Sequence, residues 1–303
     1  KIMGRIVKSL GGFYYVAPQS GGPVVECRAR GAFRQQNIKP CVGDWATVEL
    51  TEQGTGYVVQ LEPRSNSLVR PPLANLDQLV LVVSIADPAP NAFVLDKLIA
   101  IAEYQKIEPV IVITKCDLAD PKEFADIYRK AGFAVYETRT LEHQGIQEVM
   151  EMLKDKTSAF CGNSGAGKST LLNAIDPRLS LDTGDISQKL GRGRHTTRHV
   201  ELFELPQGGF VADTPGFSAV DLEKFQTILK DELADCFREM HDYEGKCRFR
   251  GCSHTKEAGC AVLQAVKDGE ISQSLFVLDL QLHRGTTGRE AAGSPERGYR
   301  GGF

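Results

Sequence analysis

No apolar run in this 303-residue chain approaches the roughly 18–20 residues that a membrane-spanning helix needs. The longest, Leu79–Ala86, is strand-sized. That excludes a polytopic helical membrane protein. Charge of one sign is also missing: 36 Lys+Arg stand against 39 Asp+Glu, for a net charge of −3. On that sum alone, nothing points to a nucleic-acid partner. The first ten residues carry no secretory pattern and no internal repeat is visible, so the expectation is a cytoplasmic chain without a membrane partner. The composition is ordinary for a globular protein, with 42% hydrophobic and 25% charged residues.

What is present falls into consecutive regions. Residues 1–68 alternate short apolar stretches with Gly- and Pro-containing turns. They predict five strands in a small barrel, of OB or SH3-like type. Arg64–Pro72 reads as a linker. Residues 69–222 alternate strand and helix. Leu79–Ile85 and Val110–Thr114 are continuously apolar, as strands buried on both faces of a parallel sheet are. The pattern is doubly wound α/β, with six strands and helices near 94–105, 121–131, 145–153 and 168–175. Residues 223–284 read as mainly helical around a Cys/His cluster. The tail 285–303 is Gly- and Arg-rich and nearly free of aliphatics, so disorder is expected there.

The strongest chemical signal is Gly162-Asn163-Ser164-Gly165-Ala166-Gly167-Lys168-Ser169, followed by Thr170. It matches GxxxxGK[ST] at every fixed position and lies between a predicted strand and a predicted helix. Such glycines let backbone N–H groups curl around phosphate oxygens, and the helix N-terminus adds positive potential. Lys168 would reach the β- and γ-phosphates, and the Ser169 hydroxyl would coordinate Mg²⁺. Asp213-Thr-Pro-Gly216 ends a later apolar strand. DxxG sets a carboxylate near Mg²⁺ and a glycine N–H near the γ-phosphate.

Between these two lies Lys189–Val200, basic throughout and without an acid. Thr196 and Thr197 offer hydroxyls for Mg²⁺, and Thr197 is favoured. Thr114-Lys115-Cys116-Asp117 follows the buried run Val110–Ile113. It has the form [NT]KxD. The Asp117 carboxylate can accept from guanine N1–H and N2–H₂, which adenine cannot offer, so the nucleotide is read as GTP or GDP. Lys115 can lay its stem over the base. A P-loop ATPase or kinase is disfavoured by the same residues.

The order of these motifs is unusual. TKCD precedes the P-loop, the threonines and DTPG, so the G domain is circularly permuted. Phe217 stands after DTPG, where Ras-like proteins place a water-orienting glutamine. The last constellation is Cys247, Cys252, His254 and Cys260. Three thiolates and an imidazole suit one structural Zn²⁺, with no open position for catalysis.

Taken together, TKCD, GNSGAGKST, GRGRHTTRH, DTPGF, the preceding barrel and the Cys/His cluster strongly resemble the bacterial ribosome small-subunit-dependent GTPase family (RsgA, also called YjeQ). The resemblance covers roughly residues 1–270. It implies an OB-fold, a permuted P-loop GTPase domain and a zinc-binding domain. It further implies a cytoplasmic protein that binds the small ribosomal subunit and its rRNA late in assembly and hydrolyses GTP slowly unless the subunit stimulates it; a monomer is expected. It also supports His195 as the group that positions the attacking water. The other class of function weighed is an RNA-binding module with a vestigial G domain, which intact Lys168, Ser169 and Asp213 disfavour. Residues 189–200 and 246–256 hold eight Lys/Arg, three His and no acid, so the whole-chain charge hides local patches fit for RNA.

Overall fold

A computed structural model describes residues 1–31, 33, 38–69, 71–179, 200–213, 236–243, 245–252, 254 and 256–273, Asp213 in its backbone only. The chain divides into two compact units, Lys1–Thr227 and Ile228–Phe303.

The first unit begins with five strands: β1 (Ile2–Leu10), β2 (Phe13–Pro18), β3 (Val25–Ala29), β4 (Trp45–Leu50) and β5 (Gly56–Leu61). They run in the spatial order β1-β2-β3-β5-β4, and β4 returns to β1 to close a barrel. β3 and β5 pair in parallel and the other barrel pairs are antiparallel. Alternate residues point inward, and Ile6, Val16, Ala46, Val48 and Val58 meet in a core without solvent contact.

The segment read as a linker is held instead. A short hairpin pairs β6 (Ser67–Leu68) with β7 (Leu73–Ala74). Arg64 donates to the buried Asp44 carboxylate at 2.6 and 2.8 Å, and Asn75 accepts from Ser65 N–H and donates to the Gly43 carbonyl. Side-chain hydrogen bonds of this kind leave no trace in hydrophobic periodicity, so composition alone suggested a loose connection.

The α/β part comprises β8 (Gln78–Ser84), α1 (Ala92–Tyr104), β9 (Glu108–Thr114), α2 (Lys122–Lys130), β10 (Ala134–Glu137), α3 (Ile146–Leu153), β11 (Thr157–Gly162), α4 (Lys168–Ile175), β12 (Glu201–Glu204) and β13 (Phe210–Asp213). β10-β9-β8-β11-β13 is a parallel array, and its central strands are buried almost throughout. Such strands must be apolar on both faces because helices cover both. The Asn91 side chain caps α1 by accepting from Val94 N–H at 3.1 Å. Buried Tyr128 on α2 donates to Asp96 on α1 at 2.8 Å.

β12 runs antiparallel to β13, and on its far side it pairs with β1 of the barrel. The two predicted sheets are therefore one sheet of 11 strands. A bulge between Ile6 and Lys8 lets β1 serve both: Ile2–Arg5 pair with β4, and Lys8 pairs with Glu201. Arg5 crosses this seam. It is 7% exposed, bonds the Thr157 hydroxyl and the Asn75 carbonyl, and lies 5.5 Å from the Trp45 ring and 5.6 Å from the Phe210 ring.

In the second unit, the described residues form α5 (Arg238–His241), a Gly-rich loop and α6 (Ala261–Lys267). Among the described residues, no helix is long and apolar enough to cross a membrane.

Candidate nucleotide site and metal centre

The parallel strands β8, β9, β11 and β13 bring their carboxyl ends to one edge, where ligands bind in sheets of this kind. In register, Ser84 lies opposite Thr114, and Val82 opposite Gly162. The phosphate-loop candidate, the TKCD sequence and the backbone of Asp213 are thus at the same edge.

The loop Gly162–Gly167 leaves β11 and enters α4 at Gly167, whose φ is +85°. A Cβ at Gly167 would adopt that left-handed conformation and sit 3.3 Å from the Thr114 hydroxyl oxygen. A Cβ at Gly162 would stand 2.5 Å from the Val82 carbonyl oxygen, so the loop must leave the strand on a glycine. α4 has no side-chain cap and no acid in its first turn. The helix dipole at such a terminus favours an anion. Asn163, Ser164 and Gly165 are exposed, Ala166 is buried, and Lys168, Ser169 and Thr170 are half-buried on the first turn.

TKCD is bound to this loop across some fifty residues of sequence. The buried Thr114 hydroxyl donates to the Ala166 carbonyl at 2.6 Å. Lys115, at φ +59°, donates from Nζ to the Gly165 carbonyl at 2.9 Å and to the Asp87 carbonyl. Thr in the first place of the motif is therefore a positioning residue for the loop. Asp117 follows, exposed, with its carboxylate available to a base.

One neighbouring segment escaped sequence reasoning. β10 flanks β9, so Thr138–Thr140 leaves the sheet beside TKCD. Thr138 N–H and hydroxyl both donate to the Ile113 carbonyl, and Cys116 N–H donates to the Thr138 carbonyl at 3.2 Å. Its position after the strand next to TKCD was the available signal. Burial first, then Glu137, raises the pKa of Cys116, outweighing the opposing hydrogen bond from Thr138 N–H, so this thiol stays protonated near neutrality. His195, Thr197 and Gly216 lie outside the described residues, as does the Asp213 side chain.

In the second unit the ligand atoms of Cys247, Cys252, His254 and Cys260 all lie within 4.8 Å of one another. A tetrahedron with ordinary zinc bond lengths has sulfur–sulfur edges of about 3.8 Å and sulfur–nitrogen edges of about 3.6 Å. Here Cys247 and Cys260 sulfurs are 3.8 Å apart, and His254 Nδ1 is 3.7 and 3.3 Å from them. The donor set fits zinc. Burial opposes ionisation of Cys247, but the Ala261 and Val262 N–H groups at the start of α6 and the neighbouring thiols outweigh it and hold its pKa down. Burial, reinforced by Cys252 and Cys247, pushes Cys260 up to about 11, so a metal must displace its proton.

Comparisons with known proteins bear directly on this geometry. The RsgA N-terminal domain model matches residues 3–58 and the RsgA GTPase model residues 61–223. A small ribosomal subunit biogenesis GTPase RsgA from Caldanaerobacter subterraneus subsp. tengcongensis is 46% identical over 94% of this chain and 95% of the relative. The Bacillus subtilis protein of the same name is 44% identical over 89% and 92%. Among solved structures, YloQ, described as a circularly permuted GTPase, aligns with a TM-score of 0.79 at 37% identity, covering 95% of this chain and 96% of its own. YjeQ from Thermotoga maritima gives 0.79 at 32% identity, covering 95% and 99%. The relatives are matched along nearly the whole length, and the chain belongs to the RsgA GTPase family.

Proposed function

We propose that this chain hydrolyses GTP to GDP and phosphate in the late maturation of the small ribosomal subunit. The observation that carries the reading is the pair of bonds from Thr114 and Lys115 to the Ala166 and Gly165 carbonyls. They join a guanine-selective sequence to a phosphate loop in one rigid edge. Lys168 binds the β- and γ-phosphates, Thr170 and the loop amides of 162–167 complete the cradle, and Gly216 contacts the γ-phosphate. Ser169, Thr197 and Asp213 would hold Mg²⁺, which would supply positive charge against the phosphates. His195 positions the attacking water in place of the glutamine that Phe217 cannot replace. Cys247, Cys252, His254 and Cys260 hold one structural Zn²⁺.

In this reading residues 1–68 are an RNA-binding barrel, 69–222 the GTPase domain and 223–284 the zinc-binding domain. A cavity of about 580 Å³ on the barrel supports the first assignment. It is lined by Phe13, Tyr14, Arg28, Phe33 and Lys39 among others, with the Arg28 guanidinium 4.6 Å from the Phe13 ring. Aromatic rings beside cations suit single-stranded RNA. The small subunit and its rRNA are the partners, the protein acts as a monomer, and its place is the cytoplasm. The test is GTP turnover with and without purified small subunits, with ATP as competitor. Stimulated turnover that ATP does not inhibit is expected. Turnover indifferent to subunits would overturn the maturation role and favour a vestigial G domain. His195→Ala should abolish the stimulation; retention of it would remove His195 from the mechanism.

A further inference from the structure

In the second unit, four cations lie close in sequence to one exposed ring. Lys246, Arg248, Arg250 and Lys256 are all exposed, and Phe249 between the two arginines is 50% exposed. Phe249 is the only large hydrophobic residue so exposed among the described residues of this unit. The Arg248 guanidinium lies 5.5 Å from its ring centroid. The metal ligands Cys247 and Cys252 bracket the tip, and Arg248 N–H donates to the Gly259 carbonyl at 3.0 Å, which closes its base. Among the described residues none of the four cations forms an ion pair. Glu257 accepts from Lys256 N–H, and Glu270 from the Tyr243 hydroxyl.

Nothing in the packing of this unit calls for a phenylalanine at the tip. A single ring, not a broad apolar patch, suits a flat partner. Four cations that make no ion pair among the described residues suit a polyanion. An unpaired nucleotide offers both, whereas in a duplex the base faces are already stacked. Resting on the reading that rRNA is a partner, we propose that Phe249 is a stacking platform for one unpaired RNA base, with Arg248 and Arg250 on the flanking phosphates.

The experiment uses the full chain with its zinc content measured. A fluorescent single-stranded 12-mer RNA is titrated by anisotropy at several salt concentrations, beside a duplex containing the same strand. A 5-iodouridine version of the strand is photo-crosslinked and the attached peptide identified. Phe249→Leu keeps the apolar bulk and removes the ring. It should weaken single-strand binding about 5- to 150-fold with the salt slope unchanged, while Phe249→Tyr binds normally. Arg250→Ala should lower the slope by about one unit. The crosslink should fall on Phe249. Binding of single strands by Phe249→Leu at wild-type strength, equal loss on duplex and single strand, or no single-strand binding by the wild type would each overturn the proposal. Loss of subunit binding by Phe249→Leu with RNA binding intact would also overturn it, in favour of a protein partner. Subunit-stimulated turnover of the wild type is measured in parallel. If it is present while Phe249→Leu has no effect, only the stacking proposal falls; if it is absent, the maturation role falls.

Discussion

Replacing Arg5 with alanine tests whether the barrel and the GTPase sheet are held as one body. The guanidinium makes two hydrogen bonds, to the Asn75 carbonyl and the Thr157 hydroxyl, and lies near two aromatic rings. Charge-assisted hydrogen bonds contribute about 1.5–3 kcal/mol each, and a cation near a ring roughly 0.5–2. Against these stands the several kcal/mol that burying a cation costs. Burial does pull the Arg5 pKa down, although Asp77 opposes it. Two acceptors left without a donor, and a cavity between Trp45 and Phe210, bring the expected net loss to roughly 2–4 kcal/mol. Trp45 is the only tryptophan of the chain and sits at the seam, so its emission during urea unfolding reports the event. The midpoint should fall with little change in slope. Arg5→Met keeps much of the volume and loses the hydrogen bonds, so it should recover about half of the loss. If alanine and methionine both stay within about 0.5 kcal/mol of the wild type, Arg5 does not hold the seam.

Other consequences can be checked separately. Asp117→Asn reverses the donor–acceptor pattern facing guanine, so GTP affinity should drop at least ~100-fold, and xanthosine triphosphate should bind better than GTP in a competition assay. Gly167→Ala imposes a left-handed backbone on a residue with a Cβ close to Thr114. Calorimetry should show nucleotide binding lost, with a stability cost of about 1–2 kcal/mol. Thr114→Val keeps the shape of the side chain but removes its bond to the Ala166 carbonyl, and should weaken GDP and GTP alike by roughly 5- to 30-fold in equilibrium binding. Chelation should release zinc and make 236–273 protease-sensitive while Trp45 emission is unchanged; protection that survives metal loss would refute a structural role for the metal.

The chemistry of this protein was legible because it resides in short contiguous sequences. Gly162–Ser169 declares its loop through glycine spacing, and Cys247–Cys260 its ligands through residue type. The buried strands were equally plain, since runs such as Val110–Ile113 admit few other structures. What stayed hidden depends on pairing between distant segments. Nothing in Ile2–Leu10 tells that one end of this strand joins β4 and the other β12. Nor does Glu201–Glu204 declare its antiparallel direction. The hairpin of β6 and β7 and the bond from Cys116 N–H to the Thr138 carbonyl rest on a few local hydrogen bonds. A pattern of apolar residues carries no record of these.

The double use of β1 also sets an order for folding. Its barrel partners β2–β5 follow within about sixty residues, so the barrel can close early and from nearby contacts. β12 is nearly two hundred residues further along, and until it arrives the Lys8 end of β1, beyond the stretch paired with β4, stays open on one edge. Such distant pairings form slowly because a long loop must close before any contact rewards it. On the ribosome the barrel would therefore stand folded with a bare edge while the GTPase sheet is still being made. The bulge near Val7 bends and twists that edge, a device that discourages pairing with a second chain.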